Sequence, residues 1–349
     1  MEQNYYVNES VDFDALVKFE KKKEFKGLYK NVSIMAGLLL IYNLLLTASA
    51  YVFYFVFVSV KTNTLVLSFD TTREYFKEHE YYFDSSAFRM GYSSFVVTLS
   101  LLIVLVIARL LFKIKLGSLY RFEKGHGKTI AFGFPAVMCV NLIISLIISF
   151  ITYYFSKAGV TIPKADFSMS SSSSLAIIMQ ICYSVIVAPI VEETIYRGLA
   201  IHLLKPYGKG MAVVISSLIF GLMHGNVSQA LSGFLFALVM GTITVSCNSI
   251  VPTICIHMLN NAVATIPEIS EALNNNQLII KIYLGIVITL LLLGFLVIFM
   301  NYKKIRLPDN KGCVMPVGKR YLFTVTNIFM LIYWAYIAYE FISSFKAAN

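Results

Sequence analysis

The feature that most constrains this chain is a series of apolar runs separated by polar connections. A helix needs about 20 apolar residues to cross the hydrocarbon core of a bilayer. Nine runs approach or exceed that length, at residues 32–60, 92–112, 131–155, 175–204, 211–224, 230–247, 250–266, 278–300 and 321–345. The sequence therefore predicts an all-α fold, a polytopic integral membrane helical bundle of about nine transmembrane helices. The run at 211–224 is the weakest prediction because it is short and ends in His224 and a glycine.

Composition and charge agree with a membrane protein. The chain has 349 residues, of which 58% are hydrophobic and 14% charged, and its mean hydropathy is +0.72. Ordinary soluble domains are about 45–50% apolar and about 25% charged. The net charge of +10 does not indicate nucleic acid, because the basic residues cluster beside the ends of the apolar runs, as topology determinants do. The expected contacts are therefore membrane lipids, with no nucleic acid.

The distribution of Lys and Arg predicts the orientation. The segment before the first run and the connections after the second, fourth and eighth runs are basic. The connection after the first run is mixed, the one after the third is nearly neutral, and the one after the seventh is acidic. Basic connections remain in the cytoplasm. We therefore expect a multi-pass protein of the plasma membrane of a bacterium, with a cytoplasmic N-terminus and, given nine spans, the C-terminus outside.

Four parts are predicted along the chain. Residues 1–31 form a cytoplasmic N-terminal segment and residues 32–155 the first transmembrane helices. Residues 175–266 form a core that carries polar motifs, and residues 278–349 form the C-terminal transmembrane helices. No internal repeat is visible. The candidate functional residues are therefore those of the third part, which carries the polar motifs.

Three charged residues lie close together in the fourth run, within the stretch "VAPIVEETIYRGLA". An ionisable side chain at mid-bilayer costs roughly 2.5–3.5 kcal/mol on insertion scales, so it normally faces a bundle interior or a wet cavity. Glu193 and Arg197 have the i,i+4 spacing of an ion pair on one helix face. Glu192 lies about 100° away and needs another partner. On these residues alone, a structural ion pair and a functional site are equally good interpretations.

Two later runs add imidazole and carboxamide groups. "FGLMH" places Phe220 and His224 one helical turn apart, and "HMLNN" does the same for His257 and Asn261. A carboxylate and an imidazole that converge on a water can make it a nucleophile at neutral pH. A second imidazole and a carboxamide can stabilise a developing oxyanion. These residues could hydrolyse an amide without a Ser or Cys nucleophile.

The motifs "EETIYR", "FGLMH" and "HMLNN" resemble those of the CPBP family, which contains the type II CAAX prenyl endopeptidases, the Abi proteins and bacteriocin-processing enzymes. The family patterns are Glu-Glu-x-x-x-Arg, Phe-x-x-x-His and His-x-x-x-Asn, and this chain matches them in order. The resemblance covers about residues 175–266. It implies a glutamate-dependent, metal-independent intramembrane endopeptidase with no cofactor, acting on a peptide or a lipidated peptide.

The resemblance also implies a role for each matched residue. Glu192 and His224 would activate the water, while His257 and Asn261 would stabilise the oxyanion. Glu193 and Arg197 would support the helix and orient Glu192. Tyr196 and Phe220 also fit the family pattern and are expected to pack around the site. Neither the substrate nor the oligomeric state can be read from the sequence.

Three other interpretations compete with a metal-independent protease. Glu192, His224 and His257 could supply three ligands to a zinc ion and leave one position open for water. The protein could instead be a non-catalytic immunity or scaffold protein that works by binding, although the intact motifs favour catalysis. A proton-coupled transporter is the third alternative, but the chain lacks the inverted repeats typical of that class.

Overall fold

The computed structural model describes residues 13–160, 162, 174–304, 306–308 and 312–348, and these residues form helices but no strand. The all-α fold expected from the apolar runs is therefore confirmed. The α-helices are α1 Phe13–Thr62, α2 Phe69–Glu78, α3 Tyr81–Asp84, α4 Ser86–Leu110, α5 His126–Lys157, α6 Ser174–Ile181, α7 Ala188–Glu192, α8 Ile201–Leu204, α9 Lys209–Leu222, α10 Val227–Cys247, α11 Val251–Ala264, α12 Ile266–Ala272, α13 Gln277–Asn301, α14 Val317–Val325 and α15 Ile328–Ala348.

The helices support a polytopic membrane protein with fewer clear spans than the nine expected. Within the described residues, six helical stretches are long and apolar enough to cross a bilayer, and α14 with α15, bent by 62°, would make a seventh. Helices α9 and α11 have only 14 residues each. At 1.5 Å per residue they extend about 21 Å, which is less than the roughly 30 Å of a hydrocarbon core. The count of nine is therefore not confirmed.

Helix α1 is the longest element and joins the predicted cytoplasmic segment to the first apolar run. Its 50 residues would extend about 75 Å. The basic residues 18–30 and the apolar residues after them therefore lie on one continuous helix, without a break at residue 31. α1 packs against α4 and α15. The four-part division of the chain stays a prediction, since a continuous helix does not mark a boundary.

The fourth apolar run is helical but irregular. Two π-helical segments, Cys182–Val187 and Glu193–Ala200, flank the short helix α7, which contains Pro189. Proline has no N–H to give to a helix and its ring crowds the preceding turn. Single π-helical turns occur within α-helices, frequently at functional sites. Glu192 therefore ends a regular turn, while Glu193 begins a wider one.

A close approach of α9 and α10 positions the turn between them. A Cβ atom on Gly221 would lie 2.8 Å from Phe234 N, and one on Gly233 would lie 3.3 Å from Gly221 Cα. Neither position can take a side chain without moving one helix away from the other. The largest apolar core also combines α1 and α15 with residues 191–204 and with α9, α10 and α11. The polar motifs consequently lie against the most buried part of the protein.

Candidate active site

The charged pair of the fourth run is buried. The side chain of Glu193 is 0% exposed and that of Arg197 is 1% exposed, and Arg197 Nη1 lies 3.2 Å from Glu193 Oε1. The pair has the i,i+4 spacing seen in the sequence. Glu193 Oε2 has no hydrogen-bond partner among the described residues. The negative charge of the buried Glu193 is therefore stabilised by Arg197 and by one further contact, with His257.

Aromatic packing holds the Arg197 guanidinium. Its Cζ atom lies 4.3 Å from the centroid of the Phe220 ring. A guanidinium over an aromatic face is attracted by the electron-rich ring, more strongly where water is excluded. Phe220 also contacts Tyr196, with ring centroids 5.3 Å apart and nearly perpendicular planes. The structure thus places Phe220 and Tyr196 in the shell around the ion pair.

His257 lies between the two glutamates. Its Nδ1 atom is 3.0 Å from Glu193 Oε1, and its Nε2 atom is 3.7 Å from Glu192 Oε2. The ring also packs edge-on against Phe236, 5.0 Å away between centroids. A hydrogen bond at one imidazole nitrogen selects the tautomer and orients the other nitrogen. The contact with Glu193 therefore aims His257 Nε2 at Glu192.

Glu192 occupies the open edge of this cluster. Its side chain is 21% exposed, whereas the neighbouring Glu193 is fully enclosed. Two phenols that sequence reasoning did not single out lie near Glu192, namely Tyr42 of α1 and Tyr183 of the first π-helical segment. The partner that the sequence required for Glu192 is His257.

His224 lies beyond the end of its helix. Helix α9 ends at Leu222, and His224 falls in the turn before α10 rather than on the helix itself. Gly225, with φ +67°, closes the turn, and Asn226 Nδ2 donates to His224 O at 3.0 Å. His224 Nδ1 still lies 3.0 Å from Phe220 O, and the two rings are 5.2 Å apart. His224 therefore stays beside the cluster by a turn contact.

Asn261 shares α11 with His257, as the spacing predicts, and its amide is oriented by hydrogen bonds. Nδ2 donates to Ser184 O at 2.8 Å, and Oδ1 accepts from Asn260 Nδ2 at 3.1 Å. Asn260 in turn accepts from Asn141 Nδ2 of α5 at 2.8 Å. These bonds use one of the two N–H groups of Asn261. The second N–H takes no part in these bonds.

Two hydroxyl groups brace the irregular helix. Ser216 Oγ donates to the backbone oxygen of Tyr196 at 2.7 Å. Tyr120, in the turn Gly117–Tyr120, lies 2.6 Å from Thr194 Oγ1, which itself donates to Ile190 O. Burial raises the pKa of the Tyr120 phenol, which therefore stays protonated and donates to Thr194. Neither brace has a sequence signal, because a lone Ser or Tyr in an apolar run is ordinary.

The metal-binding alternative lacks a converging ligand set in the described part of the chain. No group of three or more His, Cys, Asp or Glu side chains there could hold a metal ion. Glu192 and His257 face each other, and His224 contacts Phe220 O through Nδ1, which leaves its Nε2 outside that contact.

The fold and the cluster together define a class: an α-helical membrane protein with carboxylates and imidazoles gathered on apolar helices. Residues 174–263, about a quarter of the chain, match the family model described as Type II CAAX prenyl endopeptidase Rce1-like. The matched segment contains all three motifs, and the match supports an intramembrane protease of the CAAX type in general. No curated protein and no solved structure matches the chain.

Proposed function

We propose that the protein is an intramembrane endopeptidase that hydrolyses a peptide or membrane-associated substrate through a water activated by glutamate and histidine, without a resident metal ion. The observation that carries the proposal is the contact of His257 with both glutamates. His257 Nε2 is 3.7 Å from the partly exposed Glu192, while Nδ1 is 3.0 Å from the enclosed Glu193. One carboxylate is open to a substrate, and the other orients the imidazole.

The proposed reaction begins with proton transfer. Glu192, assisted by His224, takes a proton from water while the water oxygen bonds to the carbonyl carbon of the scissile amide. The carbonyl oxygen becomes an oxyanion. The proton then passes to the amide nitrogen, the C–N bond breaks, and the products are a carboxylate and an amine. Positioned acid–base groups contribute typically 10²–10⁴-fold to such a step.

His257 and Asn261 are the proposed oxyanion donors. Asn261 has one N–H that its bonds to Ser184 and Asn260 do not use. His257 Nε2 is a donor in the imidazolium form, in which Nδ1 keeps its contact with Glu193 Oε1. A donor held in place before the reaction stabilises developing charge without reorganising. The hydrogen bonds that immobilise both side chains therefore support this assignment.

The substrate class and the location are also proposals. The family match supports CAAX-type cleavage of a membrane-associated peptide. Peptide maturation and bacteriocin immunity are the other settings that we propose. We propose the plasma membrane of a bacterium, with the N-terminus in the cytoplasm and the C-terminus outside. Seven crossings, like nine, separate the two termini, whereas six place them on one side. Labelling of single cysteines introduced at each end of the chain, in intact and in permeabilised cells, distinguishes these topologies.

The test compares peptides from cells that carry the wild type or Glu192→Gln at matched expression, by mass spectrometry. Glu271→Gln is the control, because Glu271 is an exposed carboxylate in α12. A product that is lost only in Glu192→Gln, while its precursor accumulates, supports the protease and identifies the substrate. Identical peptide profiles, with an unchanged immunity phenotype, would favour a binding protein instead.

The zinc alternative is tested on the same cleavage. Purified wild-type protein is treated with a chelator and then assayed on the identified peptide, with and without added zinc. Retained activity after chelation supports the Glu192 and His224 mechanism. Lost activity that zinc alone restores would favour a metalloprotease.

A further inference from the structure

A cavity with several basic residues in its lining lies near the C-terminal end of the helical run that carries the candidate active site. It has a volume of about 470 Å³ and lies between the turn Lys205–Tyr207, the start of α9 and the end of α10. Four of its lining residues are basic, namely Arg197, His202, Lys205 and Lys209. No carboxylate lines it among the described residues. Because Arg197 is paired with Glu193, Lys205 and Lys209 supply the unpaired positive charge of this cavity.

Buried nitrogen atoms in this lining lack partners. Arg197 is 1% exposed, and while its Nη1 lies 3.2 Å from Glu193 Oε1, its Nη2 has no hydrogen-bond partner within the described parts of the chain. His202 Nδ1 is likewise buried without a partner in those parts. Buried polar groups in native proteins are nearly always satisfied by protein, water or ligand. Unpartnered nitrogens at a basic cavity therefore point to a ligand that accepts hydrogen bonds.

The surrounding backbone and side chains suit an anion. Helix α9 begins at Lys209, and no side chain caps its N-terminus. The N-terminus of a helix carries a partial positive charge and free N–H groups, both of which favour anions. Lys205 Nζ donates to Asn248 Oδ1 at 3.0 Å, which holds this lysine at the cavity.

We propose that this cavity binds an anion that carries a phosphate group. A phosphate combines more than one negative charge with several acceptor oxygens, and Arg and Lys are its usual ligands in proteins. Its source is either the headgroup of an anionic phospholipid or a soluble phosphate. The basic connection 205–210 is predicted to lie in the cytoplasm, where anionic headgroups attract clustered Lys and Arg. The proposal does not depend on the protease mechanism.

The experiment uses the full-length protein purified in a neutral detergent. Inorganic phosphate is titrated into one sample and binding is followed by the shift in unfolding temperature. In a second arm, the protein is placed in nanodiscs of phosphatidylcholine alone or mixed with phosphatidylglycerol, and retained lipid is counted by native mass spectrometry. The cavity variant is Lys205→Gln with Lys209→Gln. The control, Lys115→Gln with Lys124→Gln, removes the same charge from two exposed lysines outside the lining.

We expect the cavity variant to bind its anion about tenfold or more weakly than the wild type, and the control to stay within about twofold, since each basic residue near a membrane surface contributes about 1 kcal/mol. Binding of free phosphate indicates a soluble ligand, and retention of phosphatidylglycerol alone indicates a lipid headgroup. Binding of neither probe, or equal weakening in both variants, would overturn the proposal. Lys209→Gln alone, at an exposed position, keeps the test available if the double variant does not fold.

Discussion

Two adjacent glutamates have opposite surroundings in this protein. Glu193 is 0% exposed and contacts Arg197 and His257, whereas Glu192 is 21% exposed and contacts His257 at its open edge. The side chains differ by one residue in sequence and by one position around an irregular helix. A buried carboxylate with a close cation is suited to holding structure, while an accessible one beside an imidazole is suited to moving protons. The comparison teaches that position around the helix, not residue type, separates the two roles.

The largest expected effect is a loss of turnover when Glu192, the glutamate at the open edge of the cluster, is replaced. Glu192→Gln should reduce turnover by about 10²–10⁴-fold, because it removes the proposed base while keeping shape. Folded yield should stay near that of the wild type, because Glu192 is partly exposed. The product-to-precursor ratio by mass spectrometry and the yield by size-exclusion chromatography measure the two effects. Full turnover in this variant would show that Glu192 is not the base, and the two glutamates would then not differ in the way proposed.

The enclosed glutamate, Glu193, and its partner Arg197 are expected to contribute to the stability of the folded protein. Arg197→Met should lower the free energy of unfolding by about 3–5 kcal/mol, because it leaves Glu193 buried and without its cation. Unfolding in detergent, followed by circular dichroism, measures the loss. Arg197→Met combined with Glu193→Gln serves as the control and should recover part of it. Equal stability of the single and double variants would mean that Glu193 is not charged in the folded protein.

A smaller effect on turnover is expected at Asn261. Asn261→Ala should reduce turnover by about 10²-fold, in line with the loss of one oxyanion donor. Its bonds to Ser184 O and Asn260 would also be lost, so stability is measured on the same sample. Asn260→Ala removes a neighbouring carboxamide and should reduce turnover less. If both variants lose turnover equally, Asn261 acts through packing, and the open edge contains only Glu192 and the histidines.

The smallest effect is predicted for Ser216, whose hydroxyl braces the irregular helix through the backbone oxygen of Tyr196. Ser216→Ala removes the hydroxyl that donates to Tyr196 O at 2.7 Å and should cost about 1 kcal/mol of stability. Turnover should stay within about twofold. Ser217→Ala, next to it in α9, is the control, because the Ser217 hydroxyl is buried without a hydrogen-bond partner in the described residues. A larger cost for Ser217 than for Ser216 would contradict the bracing role.

Sequence reasoning identified the helical membrane class and the family, because apolar runs and ordered motifs are local signals. It also paired Glu193 with Arg197 through their spacing. It misplaced His224 on a helix, since the last turn of α9 ends at Leu222 and the apolar pattern does not mark that end. This error arises where a helix ends, which periodicity cannot locate.

What the sequence by itself determined is the composition of the site: two glutamates, an arginine, two histidines and an asparagine on apolar segments. Only the tertiary structure decided which glutamate is enclosed and which histidine joins them. That decision depends on contacts between residues far apart in the chain, such as His257 with Glu193 at 3.0 Å. It also depends on the π-helical segment at Glu193–Ala200, which changes how successive side chains point. Long-range packing and local helix geometry are set by the whole fold, and a motif cannot encode them alone.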